Sequence, residues 1–146
     1  MRSTPVPQID QQSQAHPILA ADHMSEWMGI VVEESTAEAA RISLRLRKEM
    51  VNGFGIAHGG IIFAFADTCF ALACNDPAGD PAVITVASGA DINFVAPARQ
   101  GETLTAVGAL VSRTGRSGVY DVRVTVGDRV VAEFRGRSRT IARPAT

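Results

Sequence analysis

One stretch of the chain, His58 to Asn75, keeps apolar residues on every side of a helical path before Asp76-Pro77 and Gly79 stop it. Ile61, Phe65, Cys69 and Leu72 mark one face, and Phe63 and Phe70 the other. A helix that is apolar all round has to be covered all round. A curled antiparallel sheet covers one side of such a helix and leaves the other to a second surface, most simply a second copy of the chain. The longest apolar run inside it, Ile61–Ala66, ends at Asp67 and Thr68 and is too short to span a bilayer.

The flanking segments supply that sheet. Ile30–Glu34 and Ala37–Arg47 read as strands; in the second, Ala40, Ile42, Leu44 and Leu46 alternate with Arg41, Ser43, Arg45 and Arg47. After the helix come Ala82–Val95, alternating around Ile84, Val86, Ile92 and Phe94, then Thr103–Ser112, Ser117–Val126 and Arg129–Ile141. Gly115-Arg116 and Gly127-Asp128 divide the last three, the second pair suiting a tight hairpin. These segments predict two strands, one long helix and then a four-stranded antiparallel meander. The fold class is α+β, because parallel crossovers need more helices than the chain contains. Upstream, His16–Met28 has helical spacing and ends at Gly29, whereas residues 1–15 are polar, proline-punctuated and read as a loose arm before a single domain spanning 16–146.

Composition narrows the function classes. With 14 basic against 15 acidic side chains and a net charge of -1, the chain lacks the basic balance of a general nucleic-acid binder. No signal-peptide stretch opens it, and the two cysteines, Cys69 and Cys74, read as reduced core residues, so a cytoplasmic location is expected.

Two features of the central helix carry chemistry. Asp67 is a lone carboxylate in an apolar helix, flanked at i−3 and i+4 by Ala64 and Ala71, which leave space beside it. It is either a hydrogen-bonded packing residue or a nucleophile or general base facing a pocket. At the N-terminal end, His58-Gly59-Gly60 exposes backbone amides at the positive end of the helix dipole. That arrangement suits an oxyanion, and equally a tight turn that needs glycine. Asp67 follows Gly59 by eight positions, about 12 Å at roughly 1.5 Å per residue, too far for both to touch one reacting carbon. Two such helices packed antiparallel would bring Asp67 of one beside Gly59 of the other.

Asn52-Gly53, His58-Gly59-Gly60 and Ala66-Asp67-Thr68, with Asp91-Ile92-Asn93-Phe94, Gly101–Ala106, Gly118–Val122 and Phe134-Arg135-Gly136, together resemble the hotdog-fold acyl-CoA thioesterases, within them the phenylacetate-degradation (PaaI) family. The resemblance runs from about Gly29 to Ile141. It implies a sheet wrapped around the long helix, homodimers with a continuous sheet and usually a homotetramer, and hydrolysis of aryl-acetyl-CoA thioesters of the phenylacetyl or hydroxyphenylacetyl type. It further implies Asp67 as the catalytic carboxylate and Gly59 as the backbone donor to the thioester carbonyl. Asn52 and His58 would orient substrate or water, with Gly60 and Thr68 beside them in the substrate site. No metal or cofactor is implied, coenzyme A being part of the substrate.

Other residues are weighed beside these. His16 and His23, seven apart, are no tight zinc set and read as a solvated helix face. His58 is either a satisfied loop histidine or a substrate contact. The region 113–146 holds eight arginines against Asp121, Asp128 and Glu133. Its alternating Arg135, Arg137 and Arg139 form either a solvated charged strand or a receiver for coenzyme A phosphates. Two rival functions stand beside hydrolysis. An enoyl-CoA hydratase needs an Asp/His motif that is not found here, and a non-catalytic acyl-CoA-binding or regulatory module would hold the thioester intact.

Overall fold

The computed structural model describes residues 16–145, so the expected arm at 1–15 lies outside the described residues. Six strands form one antiparallel sheet: β1 (Val31–Ser35), β2 (Ala39–Arg45), β3 (Val83–Phe94), β4 (Thr103–Thr114), β5 (Ser117–Val126) and β6 (Arg129–Ala142). The long helix, α2 (Gly59–Cys74), packs across β2 to β6 of that sheet, and a short α1 (His23–Met28) precedes β1. The class is α+β, as the alternation predicts, and the element bounds differ from the expected ones by at most two residues in the sheet and long helix.

Strand order corrects one expectation. The sheet runs β1-β2-β4-β5-β6-β3, so β4 to β6 form a meander of consecutive hairpins, but β3 pairs with β6 and not with β4. The chain leaves β2, returns across the sheet as α2, and enters β3 at the far edge. That passage leaves the place beside β2 to β4. The tight hairpin expected at Gly127-Asp128 holds, Val126 opposing Arg129 around Gly127 (φ 56°), and Gly115-Arg116 makes another, with Thr114 opposing Ser117 around Gly115 (φ 60°). Only glycine enters that positive-φ region without strain.

The N-terminal helix is also corrected. In place of one helix over His16–Met28 there are two pieces, a 3₁₀ turn at Pro17–Leu19 and α1. Asp22 restarts the helix by accepting hydrogen bonds from Ser25 N (3.0 Å) and Ser25 Oγ (2.7 Å), and Gly29 ends it in the left-handed region (φ 72°). His23 is exposed, but His16 is not on a solvated face: only 4% of it is accessible. Its Nε2 donates to Asn75 O at 2.7 Å and its Nδ1 accepts from Ile18 N at 3.2 Å, which ties this segment to the end of α2.

The core lies between α2 and the sheet. Ile42, Leu44, Leu104, Val122 and Val124 face Phe65, Cys69 and Leu72. Phe70, expected on the opposite face from these, is buried among Tyr120 and Phe134, at ring-centroid distances of 5.6 and 5.8 Å. It lies flat against Gly136, where an added Cβ would stand 2.7–2.8 Å from three of its ring atoms. The helix is therefore not covered all round by its own chain. Gly60, Phe63, Ala64, Asp67, Thr68 and Ala71, spaced as one helical stripe, stay partly or fully open.

Candidate active site

The segment before α2 builds the first half of the site. Asn52 accepts hydrogen bonds at Oδ1 from Phe54 N (2.9 Å) and Ile56 N (3.4 Å), and its carbonyl accepts from Gly55 N (3.0 Å). Gly55 completes the turn at φ 76°. The Asn52 side chain thus shapes its own loop through its oxygen, while its Nδ2 donors have no partner among the described residues. Met50 O accepts from His58 N (2.9 Å) and Ala98 O from Ala57 N (2.8 Å), which fixes the start of the helix.

At that start the amides of Gly59 and Gly60 are left open. His58 supplies no side-chain cap, and the first helix amides with a backbone acceptor are those of Ile61 and Ile62, both onto His58 O. The His58 side chain is exposed. Two orphan N–H groups at the positive end of a 16-residue helix form a ready receiver for a carbonyl oxygen that gains charge. The two glycines differ in their surroundings. A Cβ on Gly60 would meet nothing within 4 Å, whereas one on Gly59 would lie 3.1 Å from Cζ of Phe94. Asn52, Gly59 and Phe94 share a groove of about 400 Å³ with Ile56, Ala57 and Ile62.

Two turns further along α2, Asp67 sits half-buried on the open stripe. Burial alone pushes its carboxyl above the ordinary carboxylate range. Thr68, beside it, donates its hydroxyl back to Ala64 O at 2.9 Å, so its proton is committed within the helix. The helix is unbroken from Gly59 to Cys74, so the separation of Asp67 from the glycine amides stands as the sequence spacing gives it. One chain brings together Asn52, His58, Gly59 and Gly60. It does not bring Asp67 to them.

The arginines of β6 are placed apart from one another in function. Arg135 is held by Asp121 through two hydrogen bonds (2.7 and 2.9 Å), and Arg137 by Asp91 at 2.9 Å. Arg139 is exposed and has no ion pair among the described residues. Sequence reasoning missed Phe94 as a site residue. Alternation along β3 predicts it inward, yet it is 55% exposed at the end of an edge strand, and no pattern in the sequence distinguishes the two. Among the described residues, no three His, Cys, Asp or Glu side chains are grouped to hold a metal, and no helix is long and apolar enough to cross a membrane. Another cleft of about 300 Å³ lies at the opposite end of α2, around Cys74 and Asn75, and contains none of the residues named above as site candidates.

A family model described as the thioesterase superfamily matches residues 54–133, which take in the loop from Phe54 onward, all of α2, and β3 to β5 with the start of β6. The chain belongs to the thioesterase superfamily. As a member it is a thioesterase, a hydrolase with the hotdog fold. Acyl-coenzyme A thioesterase PaaI of Escherichia coli is 34% identical over 128 residues, 87% of this chain and 89% of that protein. The solved structure of the E. coli PaaI protein, from the phenylacetic acid degradation operon, covers 92% of this chain and 96% of its own at a TM-score of 0.82 and 32% identity. A mutant of the phenylacetic acid degradation protein PaaI from Thermus thermophilus gives a TM-score of 0.74 at 29% identity, over 81% of this chain and 98% of that one.

Proposed function

We propose that this thioesterase hydrolyses aryl-acetyl-CoA thioesters to free acid and coenzyme A, in an active site assembled from two copies of the chain. The observation that carries the reading is the pair of orphan amides at Gly59 and Gly60 beside the free Asn52 amide group, with an unpartnered carboxylate on the same open stripe too far away to serve them. An antiparallel pairing of two α2 helices places each Asp67 near the other copy's glycines. The free edge of β3 supports a second copy as well: it is twelve residues long and leaves Val83 and Val86 each 39% exposed. Such an edge invites strand pairing. A dimer that pairs this edge as well as the two α2 stripes would have a continuous sheet, and a homotetramer would join two such dimers.

In this mechanism the thioester carbonyl oxygen lies against the Gly59 amide, which stabilises the charge that develops there. Asp67 of the second copy acts as an ionised carboxylate. As a general base it takes a proton from water, whose hydroxide adds to the carbonyl carbon; the tetrahedral species collapses, the C–S bond breaks, and the thiolate takes the proton back. As a nucleophile it adds to the carbon itself, expels the thiolate and forms an anhydride that water then cleaves. The raised affinity of Asp67 for protons makes it a stronger base than an exposed carboxylate in either role. Asn52 and His58 orient the carbonyl or the water, Gly60 leaves room for it, and the Thr68 hydroxyl offers an acceptor. Of the three β6 arginines, Arg139 is the one free to receive a phosphate of coenzyme A. Support for an aryl-acetyl group comes from the E. coli relative, whose operon is that of phenylacetic acid degradation.

The test is thiol release from phenylacetyl-CoA, a hydroxyphenylacetyl-CoA and a linear acyl-CoA, with wild type beside Asp67→Asn. Turnover that collapses in the variant while assembly and thioester binding persist is the expected result. Binding without thiol release by the wild type would make the chain a non-catalytic acyl-CoA module.

A further inference from the structure

The groove at the start of α2 has an apolar body and one polar end. Ala57 and Ile62 are buried in its wall, Ile56 and Phe94 line it further, and the Gly59 amide and Asn52 stand at the polar end. Among the described residues, Phe94 is the only aromatic one in that lining. Its ring rests on Gly59: an added Cβ there would lie 3.1 Å from Cζ and 3.5 Å from both Cε atoms. Gly59 has no positive φ, so it is the ring and not the backbone conformation that crowds a side chain at this position. The backbone that carries the ring is held in place. Phe94 pairs with Ala132 at the end of β3, and Val131 O accepts from both Val95 N (2.8 Å) and Ala96 N (3.3 Å).

From this we infer that Phe94 is the specificity-determining wall of the acyl site, a fixed aromatic face that selects a flat aryl group over a linear chain. The inference rests on the thioesterase reading above and names the residue that sets its substrate class. An acyl carbonyl placed at the Gly59 amide directs the rest of the acyl group along the groove past the exposed half of the ring. An aryl ring there gains an edge-to-face or offset contact in addition to the apolar area it buries, and a linear chain gains the area alone. The ring has no group that can donate or accept a proton, so its contact acts on binding and leaves the chemistry to Asp67 and the amides.

The experiment compares wild type, Phe94→Leu and Phe94→Ala on phenylacetyl-CoA and hexanoyl-CoA. Phe94→Leu keeps an apolar side chain of similar bulk without the ring, so it decides the matter even where the alanine variant folds poorly. KM for phenylacetyl-CoA is expected to rise about fivefold to tenfold, with that for hexanoyl-CoA changing less than about twofold and kcat for both within about threefold. Equal changes for the two substrates, or a loss confined to kcat, would overturn the inference. Gly59→Ala adds a readout independent of turnover: its change in Tm should be less favourable in the wild type than in Phe94→Ala, whereas additive effects would refute the ring contact. A wild type that releases no thiol defeats the thioesterase reading alone. Titration of the two intact thioesters into wild type and Phe94→Leu then still decides, with a selective loss of aryl affinity supporting the aromatic wall and equal affinities refuting it.

Discussion

Replacing Asp67 with asparagine should make the protein both inactive and more stable. Burial is the sole cause of the upward shift of the Asp67 carboxyl, and no hydrogen bond or ion pair among the described residues offsets it. Its pKa in the folded state therefore lies above its value in the unfolded chain. Between those two values the folded state binds more protons, so stability falls as pH rises through that window and stays reduced above it. Asparagine has nearly the same shape and no charge to desolvate. The side chain is partly open to solvent, which screens the penalty, and the expected gain at pH 7 is about 0.5–1 kcal/mol. For a chain of this length that corresponds to a rise of about 2–4 °C in Tm.

Urea unfolding of wild type and Asp67→Asn from pH 4 to 8 measures the effect, with equal m-values as the control for an unchanged unfolding reaction. The difference should be largest at neutral pH and shrink as pH falls through the raised titration of the wild-type carboxyl, which then becomes neutral like the amide. Thiol release should fall by about 10²- to 10⁴-fold in the same variant. An Asp67→Asn protein less stable than wild type at pH 7, or a difference independent of pH, would refute the reasoning. The carboxylate would then be a packing residue that accepts hydrogen bonds.

Other expectations follow from single contacts. Gly136→Ala should destabilise the fold by about 1–3 kcal/mol or more through its clash with Phe70, with partial recovery in a Gly136→Ala/Phe70→Leu pair, both read from urea midpoints. His16→Ala removes the bond to Asn75 O and should cost about 1–2 kcal/mol, also by urea unfolding; no change would mean the 16–22 segment is not anchored through that ring. Burial pushes the Cys69 and Cys74 thiols up to about 12, so a disulfide reagent at pH 8 should find no reactive thiol in the native protein and two per chain in denaturant. Arg139→Gln should raise KM for every CoA thioester with kcat unchanged, while Arg137→Gln, whose guanidinium is already bound to Asp91, should change it less.

Periodicity made the strands, the long helix and the α+β class legible, because alternation and helical spacing are local consequences of what each element buries. Strand order was not local. Nothing in Ala82–Val95 says whether it lies beside Thr103–Ser112 or beside Arg129–Ile141; the return path of α2 decides it, and β3 goes to the far edge. The same edge position explains why Phe94 and Val86, inward by alternation, are half-exposed. His16 was misread for a similar reason, since its partner is a carbonyl 59 residues away.

The site divides along the same line. Asp67 and the two glycines stand out in the sequence because a carboxylate and a Gly-Gly pair are unusual in an apolar helix. Which face of that helix stays open does not stand out, for Phe63 and Phe70 are equally apolar. The sheet chooses: Gly136 lacks a side chain, so Phe70 lies against the β6 backbone, while Phe63 contacts Phe134 only edge-on (5.6 Å, 68°) and remains 37% exposed. Glycine on the sheet thus sets the rotation of α2, and that rotation puts Asp67 on the open stripe. A bulkier residue at 136 that forced the helix to turn would move the carboxylate as well as strain the core. Activity lost in Gly136→Ala beyond its loss of folded protein would report that coupling, and activity in proportion to the folded fraction would show that the helix shifts without rotating.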